Sequence, residues 1–231
     1  MPTGPTATST SRKSAMTQSK TSLVAEQFEE LEQQHEADQF GMWIFLATEV
    51  MFFGGLFACY SISRFTDPVA VAHASHHLGL ALGGINTAVL LCSSLTMALA
   101  VRSIQLGQRK PTVGLLAATC TLGLVFLTIK GYEFHEKFVE HLVPGSGFRY
   151  DGPNPGHAQI FFWLYFSMTG LHGLHVLIGV GLLSVIAVLT WRGRITKERY
   201  LAVEVSGLYW HFVDIVWVFL YPLLYLAGAR S

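Results

Sequence analysis

The stretch Gly207–Tyr221, GLYWHFVDIVWVFLY, decides how this chain folds. It lies inside an apolar run from Val205 to Ala229, and about 20 such residues suffice for a helix to cross a bilayer. Yet the run carries His211 and Asp214, which are three positions apart and therefore share a helical face. Glu204, Gly207 and Val218 extend that face, with Trp210 and Trp217 flanking it. An acidic side chain at mid-membrane costs roughly 2.5–3.5 kcal/mol, so it must face protein or a water-filled cavity. The remaining polar residues within apolar runs are therefore candidate partners of this stripe.

Composition points the same way. Of 231 residues 51% are hydrophobic and only 13% charged, with a mean hydropathy of +0.42, values of a helical membrane protein. The net charge of zero gives no basis for nucleic-acid binding. Five apolar segments predict an all-α integral membrane bundle of five transmembrane helices, with spans near 40–63, 78–101, 111–136, 158–191 and 205–229. The fourth has 34 residues, a helix of about 51 Å, so it must tilt or protrude from a hydrocarbon core of about 30 Å. Residues 1–21, rich in Ser and Thr, are expected to be a disordered tail, with no apolar core of a secretory signal. Residues 22–39 are acidic and read as a surface helix or a solvated tail, leading into a membrane domain over 40–231. Basic residues set the orientation. Lys20, Arg102, Arg109, Lys110, Arg192, Arg194, Lys197 and Arg199 lie on one side, and Arg64, Lys137, Arg149 and Arg230 on the other. This bias puts the N-terminus inside, and the C-terminus and the Gly/Pro-rich loop Val143–Pro155 outside.

Glu49 stands nine residues into the first span, about 14 Å along the helix and near mid-bilayer. Among Phe45, Phe52 and Phe53, burial favours the neutral carboxyl unless a donor pairs with it. Glu49 reads as a proton-relay element, a reactive carboxyl beside a pathway, or an acid fastening two helices. His172 and His175 lie on one turn of GLHGLHVLIG, where a metal site would need further ligands, so interhelical hydrogen bonding is the favoured role. Asn86 and Thr87 lie in the second span. Lys130 and Glu133, an i,i+3 pair beside His135 at the end of the third, are expected to form an interfacial salt bridge. His73, His76 and His77 are expected to be solvated loop histidines, and Cys59, Cys92 and Cys120 to be packing residues outside any disulfide or zinc pattern. The chain has no phosphate-binding loop, dinucleotide fingerprint, nucleophile elbow or CxxCH. These residues describe a redox-silent membrane bundle with buried ionisable groups.

Taken in order, the segments resemble the subunit III family of haem-copper respiratory oxidases over Gly41–Gly228. The first span, GMWIFLATEVMFF, resembles the segment holding that family's buried, carbodiimide-reactive glutamate, at Glu49. GGINTAVLLCSS, GLHGLHVLIG and the ending from Glu204 with WHFVDIVW are similar to the family's later helices, and Lys130-Gly-Tyr-Glu133 matches in part. The resemblance implies an accessory subunit with no haem or copper of its own, those groups belonging to partner subunits. It implies packing against oxidase subunit I, alongside subunit II, other subunits and phospholipid, with support for proton uptake and protection of the binuclear centre. An aa3-type cytochrome c oxidase in a bacterial inner membrane is the leading expectation. Quinol oxidases and the accessory proteins of nitric oxide reductases are the alternatives. Many members have seven helices where five are expected here, which removes the resemblance's support for a lipid-holding cleft. Two readings from other classes are an independent proton-coupled transporter, which calls for inverted repeats or broken helices, and a membrane cytochrome using His172, His175 or His211.

Overall fold

A computed structural model of the chain describes residues 31–145, 147–196 and 200–226. The tail expected over 1–21, the acidic segment before residue 31, Lys197, Arg199, and the last span beyond 226 lie outside the described residues. Six helices occur among them: α1 (Leu31–Thr66), α2 (Pro68–Ser75), α3 (Leu80–Gln105), α4 (Arg109–Val139), α5 (Pro155–Trp191) and α6 (Leu201–Tyr225). All but α2 are long and apolar enough to cross a membrane. From residue 31 the acidic segment is continuous with α1. The chain divides between Phe45 and Leu46, and the packing that follows is within Leu46–Ser231.

Local chemistry places the helix ends. Asp67 caps α2 by accepting the Ala70 N–H at 3.0 Å, and Pro68 follows at the first helical position, where its missing N–H leaves nothing unsatisfied. After α3, Gly107 takes φ +78°; after α5, Gly193 takes φ +75°. Both sit where a Schellman motif needs the left-handed region, with Gln108 and Arg194 donating back to Ser103 and Leu189. The short connections that result make consecutive helices antiparallel neighbours.

Helices α3, α4, α5 and α6 form a ring in which α3 touches α4 and α6, and α5 touches α4 and α6. Lipid tails are as apolar as leucine, so helices in a membrane associate through close packing and hydrogen bonds rather than burial. Small residues supply the closeness. Gly123 and Gly179 admit the Trp210 ring, Gly83 admits Tyr221, and Gly207 admits Val101 and Met97. Hydrogen bonds then pin the register: Thr96 to Thr119 at 2.8 Å, Trp210 Nε1 to Ser93 at 3.1 Å, and Trp217 Nε1 to Thr87 at 3.0 Å. The part of α1 from Leu46 onward meets this ring through side chains. The Tyr60 hydroxyl donates to the Leu223 carbonyl at 2.5 Å, and its ring lies against Phe161.

Candidate functional site

Glu49 of α1 and His175 of α5 meet, with Oε2 and Nε2 3.1 Å apart. His175 Nδ1 lies 2.8 Å from the Leu171 carbonyl, an acceptor only, so Nδ1 carries a hydrogen. Two arrangements remain for the contact with Glu49. A neutral imidazole accepts from a protonated carboxyl, or an imidazolium donates to a carboxylate. Either way one proton is shared and the pair is neutral overall, which suits a membrane-embedded site. Phe53 packs edge-on against the imidazole at 5.5 Å, and the Tyr209 hydroxyl of α6 donates to the His175 carbonyl at 3.0 Å. Three helices therefore hold the proton-sharing pair in place.

His172, one turn before, goes elsewhere. Its ring is buried between Phe126 at 5.3 Å and Trp217 at 5.2 Å, and neither nitrogen has a hydrogen-bond partner among the described residues. The buried amide of Asn86 and both Asp214 carboxylate oxygens are likewise without one. Ser94 is the polar side chain beside Asp214; a buried polar group left without a partner carries a desolvation cost of about 1–3 kcal/mol.

Lys130 and Glu133 form the expected i,i+3 salt bridge, and it is buried within the bundle. The pair is 3.0 Å apart with side chains 7% and 0% exposed, enclosed by α5 and α6. Tyr165 and Tyr225 both donate to Glu133 Oε1, at 2.8 and 2.5 Å, while Lys130 donates to Glu133 Oε2 and to the Tyr225 oxygen. The ammonium also lies 4.8 Å from the Trp217 ring centre and 5.4 Å from that of Tyr165, so aromatic rings partly replace water around it. Sequence reading missed both tyrosines. Their only signal was a hydroxyl placed within an apolar run.

The stripe first read on α6 does not lie in one environment. Gly207, Asp214, Trp210 and Trp217 are buried, Glu204 and His211 are half-buried, and Val218 is exposed. His211 Nδ1 meets Ser94 Oγ at 2.7 Å. Thus the structure joins Glu49 to His175 and Lys130 to Glu133, but brings His211 to Ser94 rather than to another titratable group. Among the described residues no group of three or more His, Cys, Asp or Glu side chains is placed to hold a metal ion.

A further polar cluster lies outside the spans, where His73, His76 and His77 are exposed as expected and two of them meet one tyrosine. His73, on α2, meets the Tyr150 hydroxyl at 2.8 Å, and His77 packs against the same ring at 5.8 Å. Burial, then the Lys137 charge, holds the His77 imidazole below its usual value, and burial raises the Tyr150 phenol. Glu140 and Arg149 help line the adjoining cavity of about 360 Å³. Nearby, Asp67 also accepts from Asn154 Nδ2, and its Oδ2 is 3.8 Å from His157 Nδ1. The Ala70 N–H, then Asn154, hold the Asp67 carboxyl below its ordinary 3.8. A depressed native value means that the cap's contribution is complete above 3.8 and is lost as pH falls through the lowered value. The Ala70 amide is therefore expected to lose hydrogen-exchange protection on acidification below that range. In Asp67→Asn the acid-dependent loss should disappear; a wild-type protection factor flat with pH would contradict the assignment.

Comparison with known proteins bears on the whole of this arrangement. A family model described as cytochrome c oxidase subunit III matches residues 27–229. Cytochrome c oxidase subunit 3 of Salmo salar is 32% identical over 197 residues, which cover 83% of this chain and 70% of the relative. The proteins of the same description from Cyprinus carpio and Gadus morhua match with the same identity and coverage.

Proposed function

We propose a role from a premise that the comparisons establish: this chain belongs to the cytochrome c oxidase subunit III family. As a member it is one component of an oxidase and partners other oxidase subunits. The proposed role is that of a non-catalytic accessory subunit of a proton-pumping haem-copper terminal oxidase of aa3 type. It stabilises subunit I, to which it binds directly beside subunit II and phospholipid, and it supports proton uptake during oxygen reduction. Haem and copper are assigned to the partner subunits. The proposed location is a bacterial inner membrane, N-terminus inside and C-terminus outside, the sense in which the Lys and Arg bias points.

The observation that carries the reading is the Glu49–His175 pair. It holds one exchangeable proton without net charge, with side chains 19% (Glu49) and 14% (His175) exposed, so the site is neither sealed nor solvated. Such a pair can take up and release a proton by small changes in either partner, the property an accessory to proton uptake needs. It moves no electron.

Purification of the tagged chain in mild detergent tests the role directly. Haem- and copper-bearing subunits are expected to come with it; recovery as a solitary monomer would overturn the reading. Glu49→Ala is expected to leave the complex assembled and to slow proton uptake or shorten turnover lifetime. The effect should stay well short of the ~100-fold loss that removal of a proton-transferring catalytic group brings. Stopped-flow proton uptake by the purified complex provides the measurement, and abolition of oxygen reduction would mean that the role assigned is too small.

A further inference from the structure

One level of the ring draws on all four of its helices. Trp217 of α6 donates Nε1 to Thr87 of α3 at 3.0 Å, and its ring lies 4.8 Å from Phe126 of α4 and 5.2 Å from His172 of α5. Gly83, one turn before Thr87, meets Tyr221, one turn after Trp217, so α3 and α6 pass each other in antiparallel register. Asn86 therefore stands at the Trp217 level. It belongs to the buried stripe Gly83, Asn86, Leu90, Ser93 and Met97, whose helical spacing places it on the face of α3 that looks into the ring.

Two side chains of this level, Asn86 and His172, are polar and 0% exposed. Neither atom of the Asn86 amide group and neither nitrogen of His172 has a hydrogen-bond partner among the described residues, so the two do not bond to each other. They project from α3 and α5, which stand diagonally across the ring, each touching α4 and α6. Buried amides and imidazoles are seldom left unpaired. An amide both donates and accepts, and a neutral imidazole offers one N–H and one bare nitrogen. The group that serves both must therefore donate and accept as well. It must also be uncharged, because the Lys130–Glu133 pair, one turn along α4 from Phe126, already balances itself. Water meets both requirements, and buried water in proteins bridges polar groups of this kind.

We propose that a buried water molecule binds at this level and bridges Asn86 of α3 to a ring nitrogen of His172 of α5. The bridge braces the ring across a diagonal, joining two helices that are not neighbours in it. Phe126 and Trp217, packed against the imidazole, form the apolar part of the site. Both anchoring residues belong to the interior of this one chain, so the site stands whether or not the accessory role does.

The test uses the full chain, purified in mild detergent with the subunits that accompany it. Brief X-ray radiolysis in heavy-oxygen water makes hydroxyl radicals from bound as well as bulk water, and mass spectrometry locates the oxidised side chains. Phe126 and Phe161 are both 0% exposed, so bulk radicals reach neither and the comparison is between like side chains. Phe126 is expected to be oxidised several-fold faster than Phe161. Asn86→Leu removes one anchor and is expected to bring Phe126 down to the rate of Phe161. A high-resolution map of the wild-type protein, which needs no variant to fold, is expected to show a peak about 2.7–3.2 Å from the Asn86 amide and from one His172 nitrogen. Equal oxidation of the two phenylalanines in the wild type, or undiminished oxidation of Phe126 in Asn86→Leu, would overturn the site. So would a map in which Asn86 bonds directly to His172, or in which an ion takes the place of the water.

Discussion

Lys130→Met is expected to destabilise the bundle by about 3–5 kcal/mol, because it strands a buried carboxylate. The pair itself contributes far less than that figure. Bringing both charges out of water is costly, and their attraction, the two tyrosine hydroxyls and the Trp217 ring face roughly offset the cost. Removing one charge leaves the cost of the other without its compensation. The double substitution Lys130→Met/Glu133→Gln should therefore be markedly milder than Lys130→Met. The glutamine still offers Oε1 to Tyr165 and Tyr225, so neither phenol loses its acceptor. Reversible unfolding in mixed micelles, followed by circular dichroism, gives the four corners of the cycle. Additive losses would mean that the two groups are not coupled, and the description of this core would be wrong.

That core illustrates where sequence reading stops. The spans were legible because water-soluble folds rarely contain apolar runs long enough to cross hydrocarbon, and the helices lie where those runs are. The i,i+3 relation of Lys130 and Glu133 was equally legible. Their burial was not, because it depends on Tyr165 and Tyr225 arriving from α5 and α6, 32 and 92 residues from Glu133. A terminal position in an apolar segment looks interfacial until neighbouring helices close over it. Spacing also promised more than it gave for His172 and His175. Three residues turn a helix by about 300°, leaving side chains about 60° apart. That angle is wide enough for one imidazole to enter the Phe126–Trp217 core while the other reaches Glu49 on α1. The same 60° separates buried Asp214 from half-buried His211. Sharing a turn is therefore weaker information than sharing a neighbour, and only the packing supplies the neighbour.

Trp210→Ala is expected to be as damaging as Lys130→Met, at about 3–5 kcal/mol, for reasons of shape rather than charge. The indole is 1% exposed and links all four helices of the ring. It projects from α6, donates Nε1 to Ser93 of α3, and its ring fills the space left by Gly123 of α4 and Gly179 of α5. A methyl group on Gly179 would stand 2.9 Å from Trp210 Cε3 and Cζ3, nearer than carbon atoms approach. Gly179→Ala in the wild-type background should therefore cost about 1–3 kcal/mol through overpacking. Once Trp210 is alanine, the nearest remaining atom is Tyr209 Cε1 at 3.2 Å, a ring edge that needs to give only slightly. There the added methyl fills part of the hole, and alanine suits a helix better than glycine. Gly179→Ala should accordingly change sign, from destabilising in the wild type to neutral or stabilising beside Trp210→Ala. Ser93 is no obstacle to the comparison, since its hydroxyl keeps its own bond to the Leu90 carbonyl at 2.7 Å. Thermal unfolding of the four proteins in one detergent measures the cycle. An equal loss from Gly179→Ala in both backgrounds would show that the indole does not occupy the space between those two helices.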